Sequence, residues 1–304
     1  MAANERIPYD EFSMFHENAH EAGLPYGGPP AVRREFVELG DGRRLSGLVW
    51  GTTGPELVLL HGGAQNAHTW DTVALALGRP LLALDLPGHG HSDDGRHGSA
   101  DVTANAEDVA TAIRALAPEA RGVVGMSLGG ITALALARDF PSLVRAMVLV
   151  DVTPGVDAVK SKVIADFVNG PASFPDFDQI LARTVAHNPG RTVSSLRRGI
   201  LHNALQREDG TWVWRYRRFN GPRTEHTDGV LPQFASLWEA VSTLRAPLML
   251  VRGMRPQSVV DDADEAELLR RAPSARVARV EEAGHSVQGD SPLELARLID
   301  RFIA

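Results

Sequence analysis

Val123-Val124-Gly125-Met126-Ser127-Leu128-Gly129-Gly130 is an apolar run that stops at a serine between glycines, and a helical pattern continues it from Ile131 to Ala137. A serine hydroxyl is a weak nucleophile at neutral pH, so a reactive one has to be lifted clear of its own backbone and presented to a base. In Gly125-Met126-Ser127-Leu128-Gly129 the serine falls on a tight strand-to-helix corner, where small neighbours avoid side-chain clashes. The helix that follows points its N-terminus at the same place, so the Leu128 amide faces the position where negative charge develops on a substrate oxygen. A glycine-rich turn with a helix-capping serine is the plainer reading. The strand before the motif and the helix after it favour the nucleophile.

Working outward, short apolar runs recur at 57–60, 81–84, 122–126, 146–150, 248–251 and 277–280, each the length of a buried strand. Ahead of them, 36–39 and 45–50 flank a Gly-Asp-Gly turn and read as an antiparallel hairpin. Between the runs, 101–116 carries Val102, Val109, Ile113 and Leu116 at helical spacing, and 291–302 places Leu295, Leu298, Ile299 and Phe302 on one face after a Ser291-Pro292 start. This alternation predicts an α/β fold with a mostly parallel sheet covered by helices on both faces, and ligands collect at the carboxyl ends of such strands. Residues 1–30 read as an extension and linker draped on the surface, and 31–152 with 241–304 as the core. Residues 153–240 show no clear buried strand and read as a helical cap rich in aromatics: Phe167, Phe174, Phe177, Trp212, Trp214, Tyr216 and Phe219.

Composition narrows the function. With 304 residues, 43% of them apolar, the chain suits one large domain with an insertion. The absence of cysteine rules out disulfides and thiolate-bound metal. A net charge of -7 argues against a nucleic-acid partner. No basic, apolar leader opens the chain and no window approaches the roughly twenty apolar residues of a membrane span, so a cytoplasmic protein with a small-molecule substrate is expected. Whether copies associate as a homo-oligomer is open.

Two more loops follow strand-like runs. His61-Gly62-Gly63-Ala64-Gln65 lets backbone amides approach a ligand, with the Gly63 amide a second candidate oxyanion donor and His61 a loop-bonding residue. Asp85-Leu86-Pro87-Gly88-His89-Gly90-His91-Ser92 offers two histidines, too few for a metal site, and reads as scaffolding. After the last run, Gly284 leaves His285 free to reach across the sheet edge, which suits a general base.

With these motifs in this order, the chain from about residue 35 resembles the α/β-hydrolases. The resemblance implies Ser127 as nucleophile, His285 as base, oxyanion donors at Gly63 and Leu128, a cap after the sixth strand, and no cofactor or metal. It also implies a carboxylate after the seventh strand, where this chain has Gln257. Some relatives carry the acid after the sixth strand, and Asp151 stands there. Asp151 is the favoured third member, although it also suits a turn before Pro154. Asp261 and Asp262 are the alternatives, and each also suits the start of a helix. The expected activity is hydrolysis of a carboxylic ester, lactone or thioester through an acyl-enzyme. Carbon-carbon bond hydrolysis, cofactor-free perhydrolysis or a catalytically weak ligand-binding protein are the other readings. Arg215, Arg217, Arg218 and Arg223 in the cap read as a solvated face or as a clamp for a substrate carboxylate.

Overall fold

A computed structural model describes residues 6–98, 100–157, 159–217 and 232–304. Eight strands form the main sheet: β1 (Val32–Glu38), β2 (Arg44–Trp50), β3 (Leu57–Leu60), β4 (Leu81–Leu84), β5 (Gly122–Met126), β6 (Met147–Val150), β10 (Leu248–Gly253) and β11 (Arg276–Val280). Their spatial order is β1-β2-β4-β3-β5-β6-β10-β11, antiparallel at β1/β2 and β2/β4 and parallel thereafter. Every residue of β3, β4, β5, β6 and β10 is buried, as continuous Leu, Val and Met runs require when helices cover both faces. The edge strands β1 and β11 keep exposed positions.

The covering helices are α2 (Asp71–Leu77), α3 (Val102–Leu116), α4 (Leu128–Asp139), α9 (Leu237–Thr243), α10 (Asp262–Arg271), α11 (Val287–Asp290) and α12 (Pro292–Phe302). Their starts follow the local chemistry: the Asp101 carboxylate accepts from the Thr103 and Ala104 amides at 3.1 and 3.0 Å, and Pro292 opens α12. Two apolar clusters fill the two sides of the sheet.

The chain leaves the sheet after Val150 and rejoins it at Leu248. The intervening segment contains α5 (Lys162–Val168), α6 (Phe177–His187), α7 (Val193–Asn203) and α8 (Pro232–Ala235). It also contains a small antiparallel sheet of β7 (Ser173–Phe174), β8 (Ala204–Gln206) and β9 (Trp212–Trp214), in the order β7-β9-β8. The expected helical cap therefore also carries a small sheet. Strands of two or three residues are too short to show periodicity, and Trp212 and Phe174 are buried by pairing across them.

A second correction concerns the N-terminal extension, which does not drape. Helix α1 (Phe15–Glu21) buries Phe15 and Ala19, with the Phe15 ring 4.9 Å from that of Trp50. Met14 joins Phe174, Ile180, Ile200, Leu201 and Trp212 in a third cluster, so the extension straps the cap to the core.

Candidate active site

Ser127, Asp151 and His285 leave the ends of β5, β6 and β11, on the carboxyl edge shared by β5, β6, β10 and β11. Ser127 has φ 50° and ψ -117°, conformational space that a residue with a side chain enters only under constraint. The constraint is steric. A Cβ on Gly125 would lie 2.5 Å from the Gly129 carbonyl oxygen, and one on Gly129 would lie 2.2 Å from that of Leu60. The glycines of the motif therefore let the start of α4 press against β3 and β5, which throws Ser127 out at the corner.

Among the described residues only Ala64, Ser127 and Asp151 combine a side chain with positive φ, at 61°, 50° and 48°. All three belong to the loops that converge here, and such backbone strain concentrates at functional sites.

Asp151 is fully buried and its carboxylate is saturated. Oδ1 accepts from the Gly253 amide at 2.9 Å and the Ser258 hydroxyl at 2.6 Å. Oδ2 accepts from the Val259 amide at 3.0 Å and lies 2.9 Å from His285 Nδ1. The segment after β10, where Gln257 replaces the carboxylate implied by the resemblance, thus supplies donors to an acid on β6. Asp261 and Asp262 lie elsewhere. Asp261 caps α10, accepting from the Asp264 amide at 2.9 Å, and the exposed Asp262 meets Arg252 at 2.7 Å. Within the described residues Ser127 Oγ and His285 Nε2 make no hydrogen bond, leaving both available to a substrate.

The Gly63 and Leu128 amides have no acceptor among the described residues. Leu128 is the first residue of α4, so its N–H has no intrahelical partner. The Gly63 loop rests on two buried neutral imidazoles. Burial lowers the pKa of His61, and burial followed by the neighbouring His61 brings that of His89 down to about 3. His61 Nε2 accepts from the Leu86 amide at 2.9 Å and His89 Nε2 from the Ala64 amide at 3.1 Å. His91 stands apart, its Nδ1 3.8 Å from Asp85.

A family model for the α/β-hydrolase fold matches residues 55–292. The chain belongs to the α/β-hydrolase family. This hydrolase is 45% identical to the esterase Rv0045c of Mycobacterium tuberculosis, across 98% of its own length and 97% of that protein's. A solved structure of that esterase matches with a TM-score of 0.80 at 45% identity, covering 97% of this hydrolase and 98% of that chain. The 2-(acetamidomethylene)succinate hydrolase of Mesorhizobium japonicum is 28% identical, covering 83% of this chain and 88% of that one.

A second polar cluster lies where strap, core and cap of this α/β-hydrolase meet. His68 Nδ1 lies 2.9 Å from Asp71 Oδ2 and its Nε2 3.1 Å from Glu11, while Tyr9 Oη is 2.9 Å from His202 Nδ1. His68, Asp71 and His202 bring potential metal-donor atoms within 4.8 Å of one another. The two imidazole rings nevertheless stack face to face, centroids 3.8 Å apart and planes 12° from parallel. A metal sits in the plane of each imidazole about 2.0 Å from its nitrogen, so one ion cannot satisfy both rings as they stand. No sequence pattern marks this cluster, whose partners lie as much as 193 residues apart in the chain.

The cap aromatics pack largely on one another. Phe177 meets Trp212 edge-on at 5.1 Å, and Trp214 stacks on Tyr216 at 5.5 Å. Arg215 is spent on the backbone, its Nε 3.3 Å from the Ala204 carbonyl, and Arg217 pairs with Asp94 at 2.7 Å. Phe219, Arg218 and Arg223 lie outside the described residues. Among the described residues no helix is long and apolar enough to cross a membrane.

Proposed function

We propose that this α/β-hydrolase is a serine esterase acting on a small carboxylic ester. Ser127 Oγ attacks the ester carbonyl carbon while His285 Nε2 accepts the hydroxyl proton, and Asp151 on Nδ1 orients the ring and stabilises the imidazolium. The amides of Gly63 and Leu128 donate to the resulting oxyanion, each contributing roughly 3 kcal/mol when aimed at the transition state. Collapse breaks the bond to the alcohol oxygen, which leaves with the proton held by His285. A water molecule repeats the cycle on the acyl-enzyme, releases the acid and restores Ser127.

The observation that carries this reading is the Asp151–His285 contact on the same sheet edge as a strained serine at a helix start. The contact also speaks against a catalytically weak binding protein, because Asp151 supplies the carboxylate that position 257 lacks. The naming of the 45% identical relative as an esterase favours esters over lactones and thioesters.

The test is covalent. A fluorophosphonate should label Ser127 in intact protein, and Ser127→Ala should abolish labelling and lower kcat on p-nitrophenyl esters on the order of 10⁶-fold. Labelling at another residue, or none, overturns the assignment. A chain-length series of these esters beside lactones then defines the acyl group.

A further inference from the structure

The loop carrying Gly63 is held peptide by peptide. The Gly62 carbonyl lies 2.7 Å from His61 Nδ1 and accepts from the Gln65 amide at 3.2 Å. In a trans peptide the N–H points away from the C=O, so these bonds aim the Gly63 amide. The next N–H, that of Ala64, is fixed by His89 at 3.1 Å. The third peptide is fixed through its carbonyl, which accepts from Asn203 Nδ2 at 2.7 Å.

His61 and His89 belong to the core, but Asn203 is the last residue of cap helix α7. Its Oδ1 accepts from Asn66 Nδ2 at 3.2 Å, and the same nitrogen donates to the His202 carbonyl at 3.0 Å. Exchanging oxygen and nitrogen on Asn203 would set its oxygen against the Ala64 oxygen and its NH₂ against that of Asn66, so the network selects the orientation. The residue restrained in this way, Ala64, holds φ 61°, which a side-chain-bearing residue keeps only where its surroundings impose it.

We infer that Asn203 is a positioning residue: through its bond to the Ala64 carbonyl, the seated cap holds the Gly63 amide in line for the oxyanion. The inference rests on the esterase reading and extends it, because turnover then depends on cap seating through a side chain, Asn203, that bonds the Ala64 carbonyl and not the reacting atoms. The effect belongs to kcat, since the amide is needed where charge develops and much less for binding the neutral ester.

Asn203→Asp tests this most directly, keeping size and the acceptor for Asn66 while losing the donor to Ala64. Asn203→Ala is the second variant. On p-nitrophenyl butyrate, kcat should fall about 10- to 30-fold in each, less than loss of a whole oxyanion donor, with KM within about threefold. Affinity for a trifluoromethyl ketone, which forms an oxyanion on addition of Ser127, should fall by the same factor as kcat. Ala64→Gly in the Asn203→Ala background should recover much of the loss, because glycine holds that φ unaided. Unchanged kcat in a folded Asn203 variant overturns the inference. So does a loss that follows KM or the folded fraction. Absence of fluorophosphonate labelling in the unaltered protein would instead remove the esterase reading, so the two failures are distinguishable.

Discussion

Among the described residues two buried histidine–aspartate contacts have equal length, His285 Nδ1 to Asp151 Oδ2 and His68 Nδ1 to Asp71 Oδ2, each 2.9 Å. Their surroundings separate them. Asp151 takes three further donors, and the outer nitrogen of His285 faces the site without a partner among the described residues. The outer nitrogen of His68 is closed by Glu11, and its ring face is covered by His202. Asp71 Oδ1, buried, has no hydrogen-bond partner among the described residues. On the proposed function, two histidine–carboxylate pairs of equal geometry therefore have different roles. What the second nitrogen faces decides whether the pair moves a proton or fastens elements together.

The largest expected effect breaks the first pair. Asp151→Asn should lower kcat about 10⁴-fold, because an amide cannot stabilise the imidazolium, and should also lower the unfolding temperature, because its NH₂ would face the Gly253 or the Val259 amide that donates to the carboxylate. Turnover near that of the unaltered protein would return the role of acid to another carboxylate.

Asp71→Asn should act on stability alone. It removes the carboxylate on Nδ1 of the buried His68, leaving only Glu11 on Nε2, and should destabilise the fold by about 3 kcal/mol, read by denaturant unfolding. Where the variant remains folded, turnover should stay within about threefold, since Asp71 touches neither the reacting atoms nor the Gly63 loop. A collapse of kcat in folded Asp71→Asn would show the second pair to be part of the chemistry.

The pH dependence of stability sharpens the contrast. Burial pushes the His68 pKa down, but Asp71, and then Glu11, outweigh it and raise it from 6.5 to about 9. A base that binds its proton more tightly when folded stabilises the fold fully below its unfolded value and loses that contribution as pH rises through the folded value. Unfolding temperature should therefore fall between pH 6.5 and 9, and the fall should be much shallower in Asp71→Asn. Equal slopes in the two proteins would mean that His68 is neutral in the joint.

The same contrast governs what could be read from residues alone. The central strands are largely apolar runs, and Ser127 stands between glycines of which Gly125 answers to a contact within the corner itself, with the Gly129 carbonyl, and Gly129 to the Leu60 carbonyl of β3. The runs and the corner contact are short-range constraints and leave a short-range signature. Asp151 was legible because it follows its strand at once. The strap was not: α1 has seven residues, and Glu11 finds Arg34 and His68 at separations of 23 and 57. Asn203 likewise reaches Ala64 across 139 residues, and Ser258 reaches Asp151 across 107. Such partners carry no periodicity. The one clue to Ser258 was indirect, a hydroxyl beside Gln257 where a carboxylate was expected.

That hydroxyl carries the smallest predicted effect. Asp151 would keep two backbone donors, Gly253 and Val259, without Ser258, so the carboxylate stays anchored and correctly directed at His285. The lost bond is nevertheless charge-assisted and short, at 2.6 Å, and it restrains the segment that supplies the Val259 amide. Ser258→Ala should therefore lower kcat only about three- to tenfold, less than the roughly 1.5–3 kcal/mol weight of a hydrogen bond to a charged group because the two amides still hold the carboxylate, while Ser258→Thr should retain activity through the same hydroxyl. If Ser258→Ala instead matched Asp151→Asn, the two amides alone would be too weak to hold the acid, and placement of the carboxylate on β6 would depend on the segment after β10. If it matched the unaltered protein, the backbone would be sufficient, and a carboxylate at position 257 would be dispensable because the fold already supplies its replacement's anchors.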